Sequence, residues 1–243
     1  FVMIRAVRSQ DDLSILMRNW NVDGAIFLYP RLGDRFEDSI NAIVAETHLP
    51  VVLFDARTDN PEVINVCSDD RKGCYLSTRY LINRGHKKIA FVANYEGNPL
   101  LTDRFEGYQT AMEESGLGCD PNCIFSYSPS YEEGVAAGKA IAASALKITG
   151  LVTTADICAI GIMEGARLGG LRIPTDLSVI GYDNLAVSTY TTPKLTTISQ
   201  NVIKKAETAM ELLLEKLRTG RVEQPHVQLD VELVERQSTL SLL

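Results

Sequence analysis

A mostly parallel α/β architecture, built twice along one chain, is the fold class this sequence predicts, and three observations predict it. Gly24 opens the apolar run Ala25-Ile26-Phe27-Leu28, and after a helix-length stretch Pro50 opens Val51-Val52-Leu53-Phe54, which ends on Asp55. Later, Gly150 opens Leu151-Val152-Thr153-Thr154, and beyond Pro174 the run Leu177-Ser178-Val179-Ile180-Gly181-Tyr182 ends on Asp183. Each span has the length of roughly thirty residues that a strand–helix–strand unit needs, with a carboxylate closing its second strand. Thirdly, the strand-like segments are continuous apolar runs rather than alternating ones, as parallel strands covered on both faces require. Ligands of open α/β sheets collect at the C-terminal ends of the strands. A plan used twice, with carboxylates at those ends, therefore suggests two lobes facing one cleft.

Taken in order, strands are predicted near 2–5, 25–29, 51–54, 63–66, 89–93, 123–127, 150–154, 177–182 and 229–234, each an apolar run. Helix-length stretches fall between them, near 10–20, 34–46, 71–84, 102–116, 131–146, 157–169 and 201–218. Gly161, Gly165, Gly169 and Gly170 do not follow a strand at dinucleotide-binding spacing, and read instead as letting a helix pack closely and then end. The last helix has the clearest pattern. Asn201 can cap it, Val202, Ala206, Met210, Leu213 and Leu217 recur at helical spacing, and Gly220 ends it. No long Pro/Gly/Ser linker separates the halves, so the chain is expected to cross between lobes several times through short hinge segments.

Composition narrows the function. With 243 residues, 45% hydrophobic and 23% charged, the chain is long enough for one large or two ordinary cores. Its net charge of −7 argues against gripping a phosphate backbone unaided, and no apolar run approaches the ~18–20 residues of a membrane span. Five cysteines, odd in number and scattered, fit reduced thiols in a cytoplasmic protein. Cys119 and Cys123 sit four apart, but the three histidines lie far off in sequence, so no metal site is expected. Phosphate-loop, zinc-protease and serine-elbow motifs are absent, and His86 reads as a turn histidine beside Gly85 and Lys87-Lys88. No catalytic residue and no cofactor are expected.

A set of ordered motifs goes further. Val22-Asp23-Gly24-Ala25-Ile26, Ser68-Asp69-Asp70-Arg71-Lys72-Gly73 and Tyr80-Leu81-Ile82-Asn83-Arg84-Gly85-His86-Lys87-Lys88-Ile89-Ala90-Phe91 come first. Arg104-Phe105-Glu106-Gly107-Tyr108, Ala155-Asp156 and Ile173-Pro174 follow, then Ser178-Val179-Ile180-Gly181-Tyr182-Asp183-Asn184 and Thr192-Pro193-Lys194-Leu195-Thr196-Thr197-Ile198. Together they resemble, over essentially the whole chain, the effector-binding core of the lactose-repressor (LacI/GalR) family of bacterial transcription regulators. The resemblance implies a periplasmic-binding-protein-like fold of two flavodoxin-like parallel-sheet lobes, joined by three crossings, with a ligand cleft between them. One lobe is expected at 1–67 plus 201–228, the other at 68–200 plus 229–243. Family members also carry a helix-turn-helix, a hinge helix and a first core strand and helix, and this chain starts at what resembles the second core strand.

The implied function is ligand sensing and dimerisation in a cytoplasmic regulator. A small polar effector (a sugar, sugar phosphate or nucleobase-like metabolite) would bind in the cleft and modulate operator DNA binding by the absent N-terminal domain. A periplasmic sugar-binding protein of a transporter is the alternative on the same fold. Arg104 matches the family arginine whose fork meets ligand hydroxyls or ring edges, and the competing reading is a structural ion pair with Asp69. Asp183 matches the family aspartate that accepts from sugar hydroxyls or ring N–H groups. Asp156 stands where sugar-binding relatives carry Asn-Asp, here Ala155-Asp156. Gln200 falls at the last crossing as hinge residue, pocket donor or both. Tyr131, or Tyr127, matches an aromatic that stacks on the ligand ring, with core packing open for either. Asp55 is placed by strand geometry.

Overall fold

The computed structural model describes residues 22–28, 36–56, 58–95 and 97–243. The strand expected near 2–5 and the helix near 10–20 lie outside the described residues. In chain order the elements begin with β1 (Ala25–Leu28), α1 (Phe36–Thr47), β2 (Val51–Phe54), β3 (Val63–Ser68), α2 (Asp70–Asn83), β4 (Ile89–Val92), α3 (Pro99–Glu114) and β5 (Ile124–Phe125). They continue with α4 (Tyr131–Ala143), β6 (Gly150–Thr153), α5 (Asp156–Leu168), β7 (Ser178–Asp183), β8 (Thr196–Ser199), α6 (Val202–Thr219), β9 (His226–Leu229) and β10 (Glu232–Val234). The chain divides into two compact units, 1–68 with 202–229 and 69–201 with 230–243. The expected lobe boundaries lie one residue N-terminal to each of these.

In the first unit β1, β2, β3 and β9 form a parallel sheet in that order. Alternate residues of the central strands point to opposite faces. Val51, Leu53 and Val63 meet Ile40, Ile43 and Val44 of α1, while Val52, Ile64 and Val66 meet Ala209 and Leu213 of α6. Each such aliphatic side chain, taken fully out of water, contributes about 1.5–3 kcal/mol.

The apolar stripe expected on α6 is displaced. The residues it buries are Lys205, Ala209 and Leu213, whereas Val202, Met210 and Leu217 are more than 40% exposed. Lys205 interrupts the apolar pattern of the buried stripe, so the aliphatic residues alone mark the neighbouring face.

The second unit carries a six-stranded sheet in the order β10-β8-β7-β6-β4-β5, parallel except for β10 against β8. Helices cover both faces. Ala90, Val92, Leu151 and Val179 pack toward α4 and α5, and Ile89, Phe91, Val152, Ile180 and Tyr182 pack toward α2 and α3. The α4–α5 contact is set by glycines. A Cβ on Gly134 or Gly138 would run into the carbonyls of Cys158 or Ile162, and one on Gly161 or Gly165 into those of Tyr131 or Val135. Close packing is thus what Gly161 and Gly165 provide.

Three departures from expectation affect the strand ends. β8 was not anticipated: Thr196-Thr197-Ile198-Ser199 carries one aliphatic side chain, yet all four residues are buried. Its hydroxyls are satisfied internally. Thr197 Oγ1 donates to Asp156, and Thr196 Oγ1 accepts from the Arg236 amide. The single strand expected at 229–234 is two strands in two sheets, β9 and β10, because the chain changes unit between Leu229 and Asp230. α3 begins at Pro99, earlier than expected, with Asn98 Oδ1 accepting from the amides of Leu100 and Leu101 at 3.2 and 3.4 Å. Arg104 consequently stands in the second turn of α3 and not at its start.

Candidate functional site

The C-terminal ends of the parallel strands in the second unit gather Arg104, Asp156, Asp183 and Gln200. α3 carries Arg104 inward, 7% exposed. Its Nε donates to Asp70 Oδ1 at 2.7 Å and its Nη1 to the Thr154 carbonyl at 2.6 Å, while Nη2 lies 2.7 Å from the same Asp70 oxygen. The guanidinium carbon sits 3.7 Å from the centre of the Tyr182 ring, and the Tyr182 hydroxyl donates to Asp70 at 3.2 Å. Burial opposes the guanidinium charge, but the surrounding acids, Asp70 foremost, outweigh it and raise the pKa. Three of the five N–H donors of Arg104 are committed to Asp70 and Thr154, which leaves two not used by either.

The ion-pair partner is Asp70 and not Asp69. Asp69 is the N-cap of α2, its Oδ1 accepting from the Lys72 amide at 3.0 Å, and this turns the next residue, Asp70, into the interior with no exposure. Asp70 Oδ2 and Thr154 Oγ1 are both buried without a hydrogen-bond partner in the protein.

Asp183 ends β7 with a backbone φ of 109°, and Asn184 follows at 56°. Its Oδ1 accepts from Gln200 Nε2 at 2.6 Å, so Gln200, at the C-terminal end of β8, and Asp183 share one polar group. Asp156, the first residue of α5, is fully buried. Its Oδ1 accepts from Thr197 Oγ1 at 2.5 Å and its Oδ2 from the Leu185 amide at 2.7 Å. Burial pushes its pKa up to about 7; the Thr197 and Leu185 hydrogen bonds pull against that rise, and Asp183 adds to it.

Tyr131 opens α4 and is 39% exposed. Tyr127 packs against the core beneath α4 and α5. Asp55 belongs to the first unit, where it follows β2 at φ 57° and accepts from Lys205 Nζ at 2.6 Å. That ammonium is completely buried and lies 4.9 Å from the Phe54 ring.

Asp70, Tyr182, Thr154, Thr197 and Lys205 were not singled out from the sequence. The one available signal was the Asp69-Asp70 pair itself: a capping residue followed by a second acid at a helix start. The cluster supplies donors and acceptors, and among the described residues no group of three His, Cys, Asp or Glu is disposed to hold a metal. Nor is any described helix long and apolar enough to cross a membrane.

Two α/β units with a polar cluster at the strand ends define a periplasmic-binding-protein-like domain, and residues 78–239 match the family of that description. The regulator RegA of Clostridium saccharobutylicum is 34% identical over 90% of this chain and 65% of its own length. The repressor PurR of Pasteurella multocida is 31% identical over 96% of this chain and 69% of its own. The chain therefore spans about two thirds of these relatives. A LacI-family regulator from Enterococcus faecium, solved with bound ribose, superimposes with a TM-score of 0.85 at 29% identity, covering 95% of this chain and 84% of that one. This chain belongs to the LacI/GalR family of transcriptional regulators and corresponds to their effector-binding core.

Proposed function

We propose that this chain is the sensing part of a cytoplasmic transcriptional regulator and performs no chemistry of its own. It would bind a small polar effector, act as a homodimer, and hand the signal to a DNA-reading domain that recognises operator DNA. The observation that carries this reading is the strand-end cluster itself. Arg104 keeps two N–H donors not used by Asp70 or Thr154, and the Asp183 carboxylate, which accepts from the Gln200 amide, is among the acids that act on its charge. A hydroxyl-bearing ligand can donate to Asp183 while accepting from Arg104. Ribose, bound by the Enterococcus faecium relative, has that chemistry and is the first probe to try, with sugar phosphates and nucleobases as comparisons. Tyr131, partly exposed at the start of α4, would offer a ring face. A ligand that prefers one arrangement of the protein over another shifts the population toward it, which is how sensing would reach the operator.

Calorimetric titration tests the site. Asp183→Asn and Arg104→Lys are each expected to weaken effector binding by about 1.5–3 kcal/mol, roughly tenfold to a hundredfold or more, with melting temperature little changed in Asp183→Asn and lowered in Arg104→Lys, which also loses the forked contact with Asp70. Parental affinity in both variants would move the site elsewhere.

A further inference from the structure

Resting on that reading of the site, we propose that Asp156 is a positioning residue that holds the Asp183 carboxylate in its binding pose by clamping the turn Asp183–Leu185, without touching the effector. Asp156 has no exposed surface, and each of its oxygens already accepts a hydrogen bond from within the protein, from Thr197 Oγ1 and from the Leu185 amide. It has little to offer a ligand directly. What it grips is a turn that needs gripping. Asp183 and Asn184 both occupy positive φ, at 109° and 56°, and two successive residues with side chains adopt that region only when their surroundings enforce it.

The enforcement comes from two sides. Asp156 fixes the amide that follows Asn184. Arg236 Nη2 donates to Asn184 Oδ1 at 2.6 Å, and its Nη1 donates to the Leu195 carbonyl at 2.6 Å and to Ser188 Oγ at 3.0 Å. The Thr197 hydroxyl links the two halves, donating to Asp156 and accepting from the Asn184 amide at 3.4 Å. A side chain on Gly181 would collide with Asp156 Oδ1, so the bare Gly181 backbone makes room for the clamp.

The clamp has a charge state. The charged groups facing Asp156 are Asp183, from the end of β7, and Arg236, beyond β10; Thr197 on β8 and Leu185 are neutral. Burial first, with Asp183 adding to it and the two hydrogen bonds and Arg236 opposing, brings the pKa to about 7. Ionised, Asp156 accepts from both partners. Protonated on Oδ1, it must donate to Thr197, whose hydroxyl already accepts from Asn184 and whose own proton then has only the Ile198 carbonyl, 3.5 Å away. The grip is therefore firmer above pH 7 than below it.

Two measurements on the 243-residue chain test this at pH 6 and pH 8: D-ribose titration, and amide hydrogen exchange at Asn184 and Leu185. Wild type is expected to bind D-ribose about fivefold more weakly at pH 6 than at pH 8. Asp156→Asn should bind about tenfold more weakly than wild type at pH 8 and show little pH dependence. Thr197→Val should behave as Asp156→Asn does, and Thr197→Ser, which keeps the hydroxyl, as wild type. The Leu185 amide should lose protection, relative to its intrinsic exchange rate, under the same conditions and in the same variants. Unchanged Leu185 protection in Asp156→Asn and Thr197→Val overturns the clamp, whatever the binding data show. Failure of D-ribose to bind any form counts against the effector reading, while exchange still decides the clamp. Loss of protection with an unaltered affinity and pH profile overturns the link to Asp183.

Discussion

Arg104 is held by a carboxylate, that of Asp70, with no exposed surface, and this makes the arginine both rigid and costly to disturb. A buried ion pair repays its desolvation only while both partners are present, and removing one leaves an uncompensated charge. Asp70→Ala is therefore expected to lower unfolding stability by about 3–5 kcal/mol in denaturant titration. Asp70→Asn keeps an acceptor for Arg104 Nε and should cost less than the alanine variant. Asp156 presents the opposite balance. Its pKa stands at about 7 against an ordinary 3.8, so the folded state holds a proton that the unfolded chain releases. The stability this contributes is complete below about pH 4 and is lost as pH rises through about 7. Asp156→Asn cannot lose that proton, so its melting temperature should gain on wild type between pH 5 and pH 8; a constant difference across that range refutes the assignment. An ionised Asp156 that clamps the Asp183 turn would thus be retained at some expense in stability, a common exchange at functional sites.

The helices show where sequence patterns carry through to structure and where they fail. Gly161 and Gly165 were legible as packing glycines because their spacing, one turn apart, puts both on one face of α5. Gly134 and Gly138 on α4 answer them. Adding a methyl to Gly138 or Gly165 must push the helices apart, so each alanine variant is expected to cost about 1–3 kcal/mol by thermal or denaturant unfolding. Gly97→Ala offers a contrast in which no neighbour is met, and strain at its positive φ remains the cost. Asp55 and Asp183 were equally legible, since an apolar run followed by an acid marks a strand's C-terminal end. Less was legible where polar side chains are buried. β8 is half threonine, and its burial depends on Asp156 and Arg236, residues 40 or more positions away in the chain. The face of α6 depends on Lys205, whose burial beneath Asp55 no periodicity announces. The split of 229–234 between two sheets is a matter of which edges are free to pair, and that is settled by the assembled fold, not by local pattern.

Both units follow one plan: a sheet covered on both faces, parallel but for the edge strand β10, with an acid closing a central strand. That duplication made the fold class legible at the level of the whole chain, while the ordered motifs made the family so, and neither pointed to a basic surface. The chain carries 24 lysines and arginines against 31 aspartates and glutamates. Affinity for duplex DNA comes largely from releasing counterions as cations neutralise phosphates. A net charge of −7 works against that, and the cations at the strand ends are already committed: Arg104 to Asp70, Lys205 to Asp55, and Arg236 to neutral acceptors in the Asn184–Leu195 loop. Residues 1–243 alone are therefore expected to give no specific retardation of duplex DNA at 0.1 M salt or above, roughly where the Debye length falls to ~10 Å. Saturating effector should leave that result unchanged while still raising the melting temperature, because a ligand at a hundredfold its dissociation constant adds about 2.7 kcal/mol to the bound fold. Operator-specific retardation by this chain, with or without effector, would show that DNA reading resides within it and would overturn the division of labour between sensing and DNA recognition.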